Sequence, residues 1–258
     1  MRSDLKAAWD LFVSVLKLPF TLIMIVLGKK TVADMMEPVK VLTSYAAEAK
    51  VTLTIIMINI IMFVWSRFWS EQWLITLMDH PQHMLTGHVY TLFTATYLHA
   101  NISHLIGNMT ILFFLGRMVE ERLGAPKYFG LYTVVGIMAS VINNLSMMAM
   151  GSMNYTLGAS GAIAGIMAAA MLYHPFRITF AGFIPLPTFI IVWMGIYADA
   201  SGILNPAGNV AYWAHMGGYL ATMFVLAFTD KDDLKKGLMM NLVTLALVVI
   251  TSVLVGNL

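Results

Sequence analysis

The chain has 258 residues, 59% of them hydrophobic and only 11% charged, with a formal net charge of +2. A soluble domain carries about 25% charge, so this composition excludes an ordinary soluble protein and describes an integral membrane protein. There is no cysteine, which excludes disulfides, and no basic stripe for nucleic acid or Gly-rich phosphate loop is present.

The N-terminal stretch MRSDLKAAWD is charged and lacks a small-residue cleavage site, so no signal peptide is expected. Residues 11–28 are apolar but interrupted by Lys17 and Pro19. They read as a helix in the membrane interface or a hairpin, with an eighth span as the alternative. Apolar runs of roughly spanning length then fall near 51–66, 101–118, 128–149, 159–173, 180–199, 211–228 and 238–256. That pattern predicts seven transmembrane helices. Fourteen of the fifteen Lys and Arg residues fall on one side if the N-terminus is inside, with Arg67 the exception. The bias predicts a cytoplasmic N-terminus and an outer C-terminus. The 67–97 connection carries Trp69, Trp73, Tyr90 and Tyr97, and is expected to lie folded at the interface. The expected organisation is an N-terminal cytoplasmic or interfacial segment (1–50), a core (51–228), and a linker with the seventh helix (229–258).

Polar groups inside spans are expensive and mark function by default. Three clusters stand out: HANISHLIGN with His99, His104 and Asn108; LGASGA with Ser160; and AYWAHMGGY with His215. In the predicted topology all three lie about a turn below the outer face. From Gly158 to Tyr173 is 16 residues before His174 and Pro175, or about 24 Å against a core of roughly 30 Å. The fourth helix must therefore begin below the surface, with residues 150–158 as the floor of a pocket and Ser160 at a helix N-terminus, where a developing anion is favoured.

Gly161, Gly165 and Ala169 repeat at four-residue spacing, as do Gly217 and Ala221. Such faces let helices approach closely. If these two meet, Ser160 and His215 come together, and an imidazole can take the serine proton. Neither span holds a carboxylate; Asp199, at the outer end of the fifth, is the nearby candidate, and the reading is a Ser–His dyad. His104 and Asn108 are four apart on one helical face and, with the Ser160 N–H, form candidate oxyanion donors. His99 falls about 140° from His104 if the helix already runs there, and reads as structural. Taken alone, GASGAIAG reads as a packing stripe and His215 as a packed hydrogen-bonder; three histidines can also bind metal, although no Cys, Asp or Glu lies beside them. The joint placement on three helices favours catalysis.

These residues resemble the rhomboid intramembrane serine proteases, from about residue 87 to 228. HANISHLIGN resembles the family's second-helix pattern of His, four residues, His, three residues, Asn. LGASGAIAG resembles its G-x-S-G nucleophile motif, and AHMGGYLA its sixth-helix histidine followed by glycines. LGRMVEERLG, with Glu120 and Arg122, resembles the stretch after the second helix. The resemblance implies an all-α membrane fold, a six-helix rhomboid core plus one C-terminal helix. It implies Ser160 as nucleophile, His215 as general base, and His104 and Asn108 as oxyanion donors, with His99, Gly158 and Gly161 structural near the site. It further implies hydrolysis of a peptide bond in or beside a substrate's transmembrane segment through an acyl-enzyme. Together with the charge bias, the expectation is a multi-pass cell-membrane protein with its site open to the outer side, acting on transmembrane protein substrates among membrane lipids, with no cofactor, metal or nucleic acid. Oligomeric state is not implied. Two departures stand out. Ala164 occupies a position four after the serine where members often carry an aromatic, and Tyr90-Thr91 stands where a Trp-Arg pair is common. The alternatives are a catalytically silent membrane chaperone or binding module on the same fold, and a transporter using the histidines as a proton relay. The latter requires polar residues through the full depth of the bilayer.

Overall fold

The computed structural model describes residues 6, 10, 13–14, 17–46, 48–181, 184–204, 210–239 and 241–242. Ahead of the bundle lie helices Leu18–Val26 and Glu37–Ala46. Pro19 sits in the first turn of the former, where its missing N–H costs nothing. That helix exposes Phe20, Leu22, Ile23 and Val26. Its nine residues cover about 14 Å; part of 11–28 lies outside the described residues.

The main helices are α1 (Lys50–Ser66), α2 (Ile102–Leu123), α3 (Ala125–Ala149), α4 (Ser160–Tyr173), α5 (Thr188–Leu204) and α6 (Tyr212–Thr229). Among the described residues, α2 and α3 are long and apolar enough to cross a membrane, while α1, α4 and α5 are apolar but shorter. A π-helical stretch, Leu112–Gly116, interrupts α2. The expected span at 180–199 is corrected: Ile178–Ala181 and Ile184–Pro187 pair as an antiparallel hairpin, and the helix starts only at Thr188. Pro185 and Pro187 explain the shift, since an interior proline removes a helical hydrogen bond and clashes with the preceding turn. The chain is helical over 231–239, and most of the expected seventh span, from 243 onward, lies outside the described residues.

The bundle is organised around α4. Every residue from Gly161 to Leu172 is buried, as expected of a helix that is apolar all round. The outer faces carry exposed Ile61 and Trp65 on α1, Met194 and Tyr197 on α5, and Leu220, Phe224 and Phe228 on α6. Meanwhile Thr52, Asn59, Asn108, Asn143, Asn144 and Thr222 are buried. So large an exposed apolar surface around a polar-containing interior marks a lipid-facing protein rather than a soluble one.

One end of the bundle is tied by ions. Arg117, 1% exposed, pairs with Glu48 and with Glu121 at 3.0 Å, and Arg177 reaches Glu121 at 2.8 Å. Arg122 pairs with Asp233. Glu120 accepts from the Val51 and Thr52 N–H groups at 2.9 and 2.8 Å, which satisfies orphan donors at the start of α1. At the other end, the 67–97 connection folds into short helices Glu71–Leu77, Pro81–Leu85 and Thr91–Thr94. It is pinned to the α3–α4 connection by reciprocal backbone bonds between Asp79 and Thr156 at 2.9 and 2.8 Å. His80 adds a bond to the Met153 carbonyl at 3.0 Å and stacks on Tyr155.

Candidate functional site

The site gathers where α2, α4, α5 and α6 meet at the end capped by the 67–97 connection. Ser160 is the first residue of α4, so its own N–H lacks an intrahelical acceptor. Before it, Gly158 adopts φ +131, a conformation other residues rarely take. Its N–H donates to the Ala95 carbonyl at 2.9 Å, fixing the turn into the helix. A Cβ at Gly158 would stand 2.9 Å from His104 Nε2 and 3.7 Å from Ser160 Oγ. The His104 ring and the serine hydroxyl therefore flank one point, and only glycine leaves that point open.

His104 is presented by a capped helix. Asn101 Oδ1 accepts from the His104 N–H at 2.9 Å and from Ser103 Oγ at 2.7 Å, an N-cap that ends the extended run before α2. Because the chain is not helical at His99, the simple angular count does not apply there. His99 folds back, 2% exposed, and its Nε2 accepts from the Asn108 amide at 2.9 Å. In that arrangement the ring proton is on Nδ1, and the second amide hydrogen of Asn108 remains for another acceptor. The His99 and His104 rings meet edge to face at 5.0 Å, and Arg67 donates to the His99 carbonyl at 3.1 Å. The structure thus brings His99, His104 and Asn108 together, with His99 holding Asn108.

Contact between α4 and α6 is close, but one residue of the expected face is corrected. Gly218, not Gly217, lies against Gly161 and Gly165; a Cβ there would stand 3.1 Å from the Gly165 nitrogen. Gly217 instead faces Ile142 and Ala139 on α3. Ala214, Gly218 and Thr222 form the stripe that meets α4, as Gly161 lies 3.3 Å from the Ala214 carbonyl and Gly165 2.6 Å from Thr222 Oγ1, measured from their Cβ positions. This packing sets His215, in the first turn of α6, near the first turn of α4. Among the described residues no hydrogen bond joins Ser160 Oγ to His215.

His215 Nδ1 is 2.6 Å from Asp199 Oδ1, and Tyr219 donates to Asp199 Oδ2 at 3.0 Å. The sequence offers Asp199 as the nearby candidate for a third member while reading a Ser–His dyad, and the structure places its carboxylate on His215. The available signal was its position near the outer end of α5, level with the start of α6. Behind Ser160 lies a cavity of about 20 Å³, bounded by Asp79, Thr96, Asn143, Thr156, Gly158 and Ser160, room for about one water. The 150–158 segment contributes to it as the short fourth helix implied. Asp79 was not anticipated. Its carboxylate accepts from Asn144 at 2.9 Å, and burial pushes its proton affinity above the usual carboxylate range, opposed by that amide.

The helix start bearing Ser160 thus lies beside the His104 ring, with His215 in the first turn of the helix packed on α4, all within a lipid-facing bundle. Residues 86–232, more than half of the chain, match the Rhomboid domain family, and the chain belongs to the rhomboid family. It is 27% identical over 188 residues to RHOMBOID-like protein 12, mitochondrial, of Arabidopsis thaliana, covering 67% of this chain and 56% of that protein. RHOMBOID-like protein 1 of the same plant is 33% identical over 142 residues (54% and 34%). The human presenilin-associated rhomboid-like protein, mitochondrial, is 26% identical over 140 residues (52% and 36%). The chain thus spans between a third and just over half of the length of these relatives.

Proposed function

We propose that this chain is an intramembrane serine endopeptidase that cleaves transmembrane segments of membrane proteins. The observation that carries the reading is Gly158, which leaves open one point flanked by the Ser160 hydroxyl and the His104 ring, while the α4–α6 contact brings His215 alongside. Ser160 Oγ is the nucleophile and His215 Nε2 the base that takes its proton. The Ser160 N–H, His104 and Asn108 receive the oxyanion, aided by the start of α4. The missing Ser160–His215 bond suits a resting site, because catalytic hydrogen bonds often tighten only with substrate bound. The reacting groups lie in the rhomboid core (51–228), flanked by the interfacial segment (1–50) and the C-terminal linker and helix (229–258).

The protein is read as multi-pass in a cell membrane, its partners being lipids and membrane-protein substrates. Its N-terminus is cytoplasmic and its site opens to the outer side. The clustering of Arg117, Arg122 and Arg177 at the end away from Ser160 supports that orientation. The native chain lacks cysteine, so maleimide should reach a single cysteine at Met153 from outside and one at Lys235 only after permeabilisation. The reverse pattern overturns the orientation.

The test of activity is labelling of the detergent-solubilised protein by a fluorescent fluorophosphonate, beside Ser160→Ala and His215→Ala. Labelling of the wild type, lost in both variants, is expected. A folded wild type that does not label supports the alternative of a catalytically silent rhomboid-like chaperone or binding module.

A further inference from the structure

We propose that Asp199 is a positioning residue of the site, making the working unit Ser160–His215–Asp199, clamped by Tyr219. The proposal rests on the serine-hydrolase reading above and adds to it a carboxylate from a third helix.

The geometry is specific. Asp199 Oδ1 lies 2.6 Å from His215 Nδ1, at the short end of the range for a hydrogen bond assisted by charge. Its other oxygen accepts from Tyr219 at 3.0 Å. Both carboxylate oxygens are therefore committed, and the plane of the group is fixed. His215 and Tyr219 are four residues apart, so they share one face of α6. Asp199 and Gly195 are likewise four apart on α5. A Cβ at Gly195 would stand 3.2 Å from the Tyr219 hydroxyl, so glycine there lets α5 come close to that face. The Asp199 side chain is 9% exposed and that of His215 18%. A carboxylate so sheltered is costly unless paired, and here its partners are an imidazole and a phenol.

Ala164, one turn after Ser160 on α4, offers only a methyl group. A neutral imidazole can carry its proton on either nitrogen. Only the form with the proton on Nδ1 leaves Nε2 free to accept from serine, and Asp199 selects that form.

The step then balances as follows. Ser160 Oγ bonds to the scissile carbonyl carbon while its proton passes to His215 Nε2. The carbonyl π pair moves to oxygen, giving the oxyanion. Collapse re-forms the carbonyl and expels the amine, which takes the proton from Nε2. Water repeats the sequence on the resulting ester and restores Ser160. Throughout, the Nδ1 proton stays on the ring, held by the Asp199 carboxylate. Asp199 acts on the cationic ring, which exists only after proton transfer, so its interaction is stronger in the transition state than in the resting site.

The test uses the full chain in detergent micelles, with wild type, Asp199→Asn, Asp199→Glu and Tyr219→Phe, each checked for folding by thermal unfolding. Fluorophosphonate labelling is followed against probe concentration, separating the maximal labelling rate from the half-saturating concentration. Loss of the corresponding aspartate effect in other serine hydrolases is on the order of 10⁴ in rate. We expect Asp199→Asn to lower the maximal rate by about 10²–10⁴ with little change in half-saturation. Asp199→Glu should recover part of the rate, and Tyr219→Phe should lower it less than Asp199→Asn. In ring-¹⁵N-labelled protein, the His215 signal, assigned by its loss in His215→Gln, should report a proton on Nδ1 in the wild type and move to Nε2 in Asp199→Asn.

A folded Asp199→Asn that labels at the wild-type rate with an unchanged ring tautomer overturns the proposal and leaves the hydrolase reading standing. A wild type that never labels overturns the hydrolase reading instead. If Asp199→Asn does not fold, Asp199→Glu decides: a wild-type rate and an unshifted ring signal overturn the proposal, and a reduced rate with a shifted signal supports it.

Discussion

Gly218→Ala is the sharpest test of how the site is assembled. The new Cβ would meet the Gly161 carbonyl oxygen, the Gly161 carbonyl carbon at 3.1 Å and the Gly165 nitrogen at 3.1 Å. All three are backbone atoms of α4, so no side chain can rotate aside, and the helices must separate. Overpacking of a filled core costs typically about 1–3 kcal/mol, and rigid backbone contact places this case near 3. Alanine regains about 0.5–1 kcal/mol of helix propensity over glycine, leaving a net loss of about 2 kcal/mol. The larger consequence is geometric. Ser160 and His215 sit on the two helices being parted, and a misplacement of about 1 Å costs on the order of 10² in rate. Gly130→Ala is the control: it lies within α3 with nothing within 4 Å of its Cβ position, and should gain stability with unchanged reactivity. Thermal unfolding and fluorophosphonate labelling, measured side by side in detergent, read both effects. A Gly218→Ala protein with wild-type Tm and labelling rate would refute the argument that α4–α6 proximity sets the site.

Three more outcomes follow from the neighbouring groups. Burial holds the Asp79 carboxyl above its ordinary value, with the Asn144 amide opposing. A proton held more tightly in the folded state stabilises it at low pH, and this contribution is lost as pH rises through the raised value. The Tm of wild type relative to Asp79→Asn should therefore fall as pH climbs from the ordinary carboxylate range and level off above the raised value; parallel pH curves for the two proteins sink this account. Asn108→Ala should cut labelling by on the order of 10², the usual effect of losing an oxyanion donor. His99→Leu should give a smaller fall, because it removes only the acceptor that holds the Asn108 amide; a His99→Leu rate matching wild type would show that Asn108 needs no such support.

Much of this arrangement was legible in the sequence, and the parts that were not share a physical cause. Residue spacing predicted that α4 is short, that it begins at Ser160 and that a small-residue face packs on it. It could not fix helix rotation: a one-residue change turns the contact face by about 100°, which is the difference between Gly217 and the observed Gly218. The 178–187 hairpin was written in Pro185 and Pro187, but hydropathy alone read through them. The structural reading of His99 agrees with its bond to Asn108, but that partner was not legible, because Asn101 caps the helix two residues later and lets the preceding chain fold back. Asp79 depends on a contact between distant segments, with no local pattern that names its partner; Asp199 stood out as a candidate third member, but only the packing of α5 on α6 puts its carboxylate on His215.

The complete burial of α4 has a consequence for how the protein meets its surroundings. From Gly161 to Leu172 its residues touch protein rather than lipid, and its 14 residues span about 21 Å. The depth of Ser160 is therefore set by the neighbouring helices and not by the thickness of the bilayer. Lipids of different chain length should tilt or stretch the outer helices while the serine keeps its place relative to His104 and His215. If the chain cleaves membrane proteins as proposed, what changes is how far a substrate's backbone must descend to reach the serine, so membrane thickness would determine which peptide bond is presented rather than whether the reacting groups are assembled.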